Sequence, residues 1–122
     1  MYYGYRYIEK DGPYHPGDRL ETVEAIHEYL QLNKRSYPEI RITDKTSSDL
    51  LVHVIDGFIE FPKQWALMDM KMEFIDRADI FNAAQFAERI RFLGFESPGP
   101  PLTRLDAQRI LFECYQSLPQ NY

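Results

Sequence analysis

The chain has 122 residues, 44% of them hydrophobic and 27% charged, proportions that fit one soluble globular domain with its own core. Nineteen Asp and Glu against fourteen Lys and Arg give a formal charge of -5, so nothing steers the whole molecule toward phosphate or anionic lipid. Cys114 is the only cysteine, which excludes an intramolecular disulfide and a cysteine-rich zinc site and points to a reducing, cytoplasmic setting.

The N-terminus has no apolar stretch after a basic one, so no secretory signal is expected there. Five of nine tyrosines fall within the first fourteen residues. Alternation from Tyr3 to Ile8 predicts a strand with Tyr3, Tyr5 and Tyr7 on one face and Arg6 and Ile8 on the other. Gly12-Pro13 and Pro16-Gly17 then mark a turn-rich connector. Asp18 and Glu21 have the spacing of a capping box, and Leu20, Val23, Ile26 and Leu30 recur with helical period, so a helix is expected to start after Asp18. Asn33 and Lys34-Arg35 mark its end.

Ile40 and Ile42 alternate with Arg41 and Thr43, and residues 44–49 read as a turn. The run Leu50–Ile55 is apolar on both faces and is the best candidate for a central strand. Asp56-Gly57 predicts a tight hairpin into Phe58–Phe61, which Pro62 ends or places at an edge. From Trp65 to Ile75, Met68, Met70, Met72 and Phe74 alternate with Asp69, Lys71 and Glu73, which favours a strand. Helix-forming Met, Lys and Glu argue the other way, with Trp65, Met68 and Met72 on one helical face.

Asn82 and Gln85 signal a helix start, with Phe81 and Phe86 as a hydrophobic staple and Gly94 as the stop. Prolines in residues 96–101 break the pattern. Thr103 and Asp106 cap a last helix whose apolar face is Ala107, Ile110, Leu111, Cys114 and Leu118, ended by Pro119. The expected fold is therefore α+β, a mostly antiparallel sheet of about four to five strands packed against helices in the order β-α-β-β-β-β-α-α. Residues 1–122 form a single domain in this reading, with 79–122 as a C-terminal helical subdomain.

Residues that could carry chemistry are few. Glu24 and His27 share a helical face and are the weak metal candidates, but no matching Glu-x-x-His occurs elsewhere. His53 interrupts an apolar strand and needs hydrogen-bond partners there. With Asp44, Asp49 and Asp56 at strand ends, it is the candidate for acid–base work, though those aspartates also suit ordinary turns. His15 sits in a proline-flanked loop, and Cys114 lies on an apolar helix face. No catalytic motif, phosphate loop or cofactor signature is present, and no cofactor is expected.

An aromatic strand can stack nucleic-acid bases, yet residues 36–78 carry five basic against eight acidic side chains, which disfavours phosphate contact. The leading expectation is a small non-enzymatic regulator or adaptor that binds another protein through Tyr3, Tyr5, Tyr7 and Trp65. Its acidity favours a basic partner surface, and a homodimer would satisfy the same aromatic surface. The alternatives are a small-ligand-binding protein or hydrolytic enzyme using His53 and nearby carboxylates, and a nucleic-acid module using the aromatic strand. No membrane association is expected.

Overall fold

The computed structural model describes residues 1–96 and 103–119. They divide into two compact units, Met1–Pro62 and Lys63–Tyr122. The first is a five-stranded sheet with one helix, and the second is helical, so the protein has the α+β fold its sequence implies.

In the first unit the strands are β1 (Tyr2–Tyr7), β2 (Asp18–Leu20), β3 (Glu39–Asp44), β4 (Leu50–Ile55) and β5 (Phe58–Phe61), with α1 (Val23–Asn33) between β2 and β3. The order across the sheet is β2-β1-β3-β4-β5, and every pair is antiparallel. Leu50–Ile55 is an interior strand, as its apolar faces implied, and β5 lies at an edge. At the hairpin between β4 and β5, Asp56 and Gly57 both take positive φ, 52° and 84°, the backbone of a tight turn matched to strand twist.

The segment around Asp18 departs from expectation. Asp18 is not a helix cap: it pairs with Gly4 in β2, and Leu20 is buried opposite Tyr2 in the same strand. The cap is Thr22, whose hydroxyl accepts from the Ala25 N–H at 3.0 Å. The hairpin with β1 keeps residues 18–20 extended, and a hydroxyl residue four positions later can cap equally well. The strand β2 was therefore missed, and the helix starts later.

Period-two alternation gives the sheet two distinct faces. Gly4, Arg6, Ile40, Ile42, Val52, Val54 and Ile59 share one face by register, and its aliphatic members are buried. Helix α1 packs over β1 and β2. Its Tyr29 ring comes so close to Gly4 that a Cβ there would meet ring carbons at 2.6 and 2.8 Å. The opposite face carries Tyr3, Tyr5, Tyr7, Glu39, Arg41, Thr43 and His53.

The second unit contains α2 (Lys63–Met70), a π-helical segment (Lys71–Asp76), α3 (Ala83–Phe92) and α4 (Arg104–Ser117). The strand expected over residues 65–75 is a helix. Its buried residues Ala66, Leu67, Met70 and Phe74 follow helical spacing, and the methionines split, with Met70 1% and Met68 59% exposed. Met, Leu, Ala and Lys are good helix formers, and that preference outweighs an alternation that packing does not use. The later signals hold. Asn82 accepts from Gln85 N–H, Phe81 packs on Phe86 at 5.6 Å between ring centroids, Gly94 closes α3 at φ 91°, and Thr103 with Asp106 forms a capping box. The proline-rich break falls mostly in residues 97–102, outside the described residues. No described helix is long and apolar enough to cross a membrane.

Candidate functional site

The tyrosine face is built by register. Strand β1 lies between β2 and β3, so it offers no free edge for strand addition, and its tyrosines act through their rings. Beyond β1 the chain doubles back: His15 N–H donates to the Arg6 carbonyl and Ile8 N–H to the Pro13 carbonyl, which sets Tyr14 opposite Tyr7. The rings of Tyr5 and Tyr14 meet edge-on with centroids 5.4 Å apart, and those of Tyr7 and Tyr14 lie 4.9 Å apart. Tyr7 is buried, Tyr3 and Tyr5 are half-buried, and Tyr14 is 54% exposed. The connector residue Tyr14 thus completes a cluster that alternation alone limits to Tyr3, Tyr5 and Tyr7.

A cavity of about 240 Å³ opens here, lined by Tyr5, Tyr7, Tyr14, Arg41, Thr43 and Leu50, with Ser48 of the β3–β4 turn at its margin. Arg41 lies over the Tyr7 ring, 4.7 Å from its centroid. Its guanidinium is held by two carboxylates, Nε donating to Glu39 at 2.7 Å and Nη2 to Asp11 at 2.6 Å.

Behind Arg41 lies the group that organises this face. Glu39 is only 2% exposed. Besides Arg41 it accepts from the Asp11 N–H at 2.8 Å and lies 2.5 Å from His53 Nε2. Burial alone would push its carboxyl up, but the Asp11 N–H, His53 and Arg41 outweigh that and hold it below the ordinary glutamate value. His53 has a second carboxylate at its other nitrogen, Glu60, with 3.4 Å between Nδ1 and Oε2. The ladder skips Glu60 as it passes from the His53–Phe61 pair to the Val54–Ile59 pair, and such a bulge re-aims the extra side chain, here toward His53. That Glu60 oxygen is buried and has no hydrogen-bond partner. His53 therefore faces carboxylates, as a half-buried strand histidine requires, but it does not line the tyrosine cavity.

The remaining candidates separate. Asp44 folds its own turn, accepting from Thr46 and Ser47 N–H groups at 2.8 and 3.0 Å, bonds that lower its carboxyl below the ordinary value. Asp49 closes the same turn through its carbonyl, whereas Asp56 sits at the far end of β4, paired with Lys10 at 2.6 Å. The three aspartates do not converge around His53. Glu24 and His27 are exposed on α1, and no group of three or more His, Cys, Asp or Glu side chains among the described residues could hold a metal ion. His15 meets the Tyr37 ring edge-on at 5.7 Å. Trp65 belongs to α2 in the second unit, and Cys114 is half-buried on α4, where burial raises its thiol pKa.

A second polar group sits at the margin of the α1-covered face. Arg6 Nε and the Tyr29 hydroxyl both donate to Asp18 Oδ2, at 2.9 and 2.8 Å, and Arg6 Nη1 donates to the Tyr37 hydroxyl. Burial and the Asp18 carboxylate keep the Tyr29 phenol protonated well above its ordinary range. Sequence reading missed Glu39, Tyr14 and Glu60. The paired spacing of Glu39 and Arg41 on one strand face was the available signal, but only the register places His53 beside them. Comparison of the chain with known protein families, curated proteins and solved structures gives no match.

Proposed function

We propose that the protein is a non-enzymatic polypeptide-binding module whose contact surface is the tyrosine face of the sheet. The observation that carries this reading is the cluster of Tyr5, Tyr7 and Tyr14 around a concavity that Arg41 also lines. Tyrosines offer large, stiff contact area with a polar tip, and they dominate binding energy when a partner excludes water from them. The Glu39–Arg41–Asp11 chain holds the guanidinium in place and neutralises it, so the site favours a neutral or basic peptide over an acidic one. The Met1–Pro62 unit carries eleven Asp and Glu against seven Lys and Arg, which extends the same preference to longer range. Arg6 and Arg41 lie on opposite faces of the sheet, each engaged by carboxylate, an arrangement that supports neither a basic stripe nor phosphate binding.

The test is selection of a displayed peptide library against the full chain, with Tyr14→Ala as counter-selection. Peptides bound by the parent protein should lose roughly tenfold or more in affinity to the variant. A library that enriches nothing above the variant would refute the reading. One observation favours a second reading, a small-ligand or hydrolytic site at His53: this imidazole sits between two carboxylates, 2.5 Å from Glu39 and 3.4 Å from Glu60. Hydrolysis of ester or amide substrates that disappears in His53→Gln, with folding intact, would establish it instead.

A further inference from the structure

The helical unit holds a larger and more apolar concavity. About 380 Å³ opens between α2 and α4, walled by Leu67, Met68, Leu111, Phe112 and Tyr115, with Lys71 the only charged side chain in its lining among the described residues. That volume lies within the range of small-molecule sites, roughly 300–1,000 Å³. Leu67 and Leu111 form a buried floor, while Met68 and Phe112 stand up from it, 59% and 61% exposed. Arg104, the first residue of α4, donates to the carbonyls of Ile75 and Asp79, so α4 begins beside the end of the π-helical segment and runs back along α2. Lys71 and Gln108 accordingly mark one end of the groove, and Tyr115 the other.

Lys71 is also the first residue of the π-helical segment. Such wide turns are rare and concentrate at functional sites. Its ammonium lies 3.5 Å from Asp76, with the side chains 57% and 50% exposed in a pair of little energetic worth that a better anion can displace. An apolar trough with one exchangeable cation at its end matches a ligand with an apolar tail and an anionic head. A partner helix fits less well. It needs anchors over two turns on both walls, and although α4 lines the groove from Gln108 to Tyr115, the α2 wall spans only Leu67 to Lys71, about 6 Å of helix.

We propose that this groove binds a single-chain amphiphile with an anionic head, of the fatty-acid type. The tail lies along Leu67, Leu111 and Phe112, the flexible thioether of Met68 adapts to it, and the carboxylate takes the place of Asp76 at Lys71 Nζ.

Calorimetric titration of the full chain below micellar concentrations tests the site, using octanoate, decanoate, dodecanoate, dodecanol and dodecyltrimethylammonium. Dodecanoate is expected to bind one-to-one, with affinity rising roughly fourfold per methylene from octanoate until the groove is full. Lys71→Gln should weaken dodecanoate roughly tenfold and leave dodecanol unchanged. Phe112→Ser should weaken both, and Met68→Gln, at an equally exposed position, serves if the serine variant does not fold. The proposal is overturned by equal binding of the trimethylammonium and the carboxylate, by unsaturable uptake of several molecules per chain, or by dodecanoate affinity indifferent to these substitutions. Binding of an acidic amphipathic helical peptide with no binding of any amphiphile overturns it as well.

Discussion

The two faces of the sheet start from the same alternating backbone and solve burial in opposite ways. Toward α1, Ile40, Ile42, Val52 and Val54 are removed from water, and the polar group formed by Asp18, Arg6 and Tyr29 is confined to the margin. On the other side, Glu39 is buried as deeply as those aliphatics, and it is kept there by Arg41, His53 and the Asp11 N–H. An apolar face gains free energy by burial itself, whereas a charged one spends most of its attraction on desolvation. The charged face thus contributes geometry more than stability. It fixes Arg41 over the Tyr7 ring at one orientation.

Removing the keystone of the charged face should have the largest effect. Glu39→Ala leaves Arg41 and His53 without their shared carboxylate, and breaking a buried pair costs about 3–5 kcal/mol. The lower end is expected, because Arg41 keeps Asp11 and remains partly in water. Urea unfolding of the variant measures it. Destabilisation under about 1 kcal/mol, the range of an exposed pair, would mean that water already reaches the cluster.

The apolar face is probed by Gly4→Ala. The added methyl would sit 2.6 Å from a Tyr29 ring carbon, so helix α1 must shift, at about 1–3 kcal/mol of overpacking. Tyr29→Leu in the same chain should recover part of that loss, because a double-mutant cycle isolates the contact. Full additivity of the two substitutions would show that the tight approach of helix to strand is not what restricts position 4.

Acid separates the two faces by a smaller margin. Glu39 has a folded pKa below its unfolded value near 4.5, so its contribution is fully present above that pH and is lost as pH falls through the folded value. In Glu39→Gln, this part of the acid dependence should vanish, so its unfolding free energy falls less steeply below pH 4.5 than that of the parent. The aliphatics of the opposite face, Ile40, Ile42, Val52 and Val54, carry no proton and contribute nothing to that slope. Parallel pH profiles for the parent and Glu39→Gln would contradict the assigned shift.

What could be read from the sequence follows from the range of the signal. Local chemistry was legible: the Asp56-Gly57 turn, the Asn82 and Thr103 caps and the Gly94 stop each depend on a few adjacent residues. Competition between equally valid local signals was not. Asp18 could cap a helix, but pairing with Gly4 holds it extended, and the alternating methionines at 68, 70 and 72 fit a strand until the helical burial of Leu67, Met70 and Phe74 takes precedence. The candidate site was legible in part. Tyr3, Tyr5 and Tyr7 share a face as alternation requires, and His53 does find the partners that its strand position demanded. Glu39, Glu60 and Tyr14 depend on register, a bulge and a doubled-back loop, all of which join residues distant in sequence.

The smallest effect on stability, and the sharpest separation of folding from recognition, is expected at Tyr14. The residue is more than half exposed and its ring rests on Tyr5 and Tyr7. Tyr14→Ala should therefore move the unfolding free energy by no more than about 1 kcal/mol, the worth of an aromatic pair plus a half-buried ring edge. Tyr7→Ala, which empties a buried position beneath Arg41, should cost several times more. If the face recognises a polypeptide, the ranking reverses for binding per unit of stability lost, since the exposed ring is the one a partner reaches first. Urea unfolding and peptide titration on the same two variants decide it. Equal losses of stability in both would place Tyr14 within the core of the sheet unit and remove the reason for treating its ring as a contact.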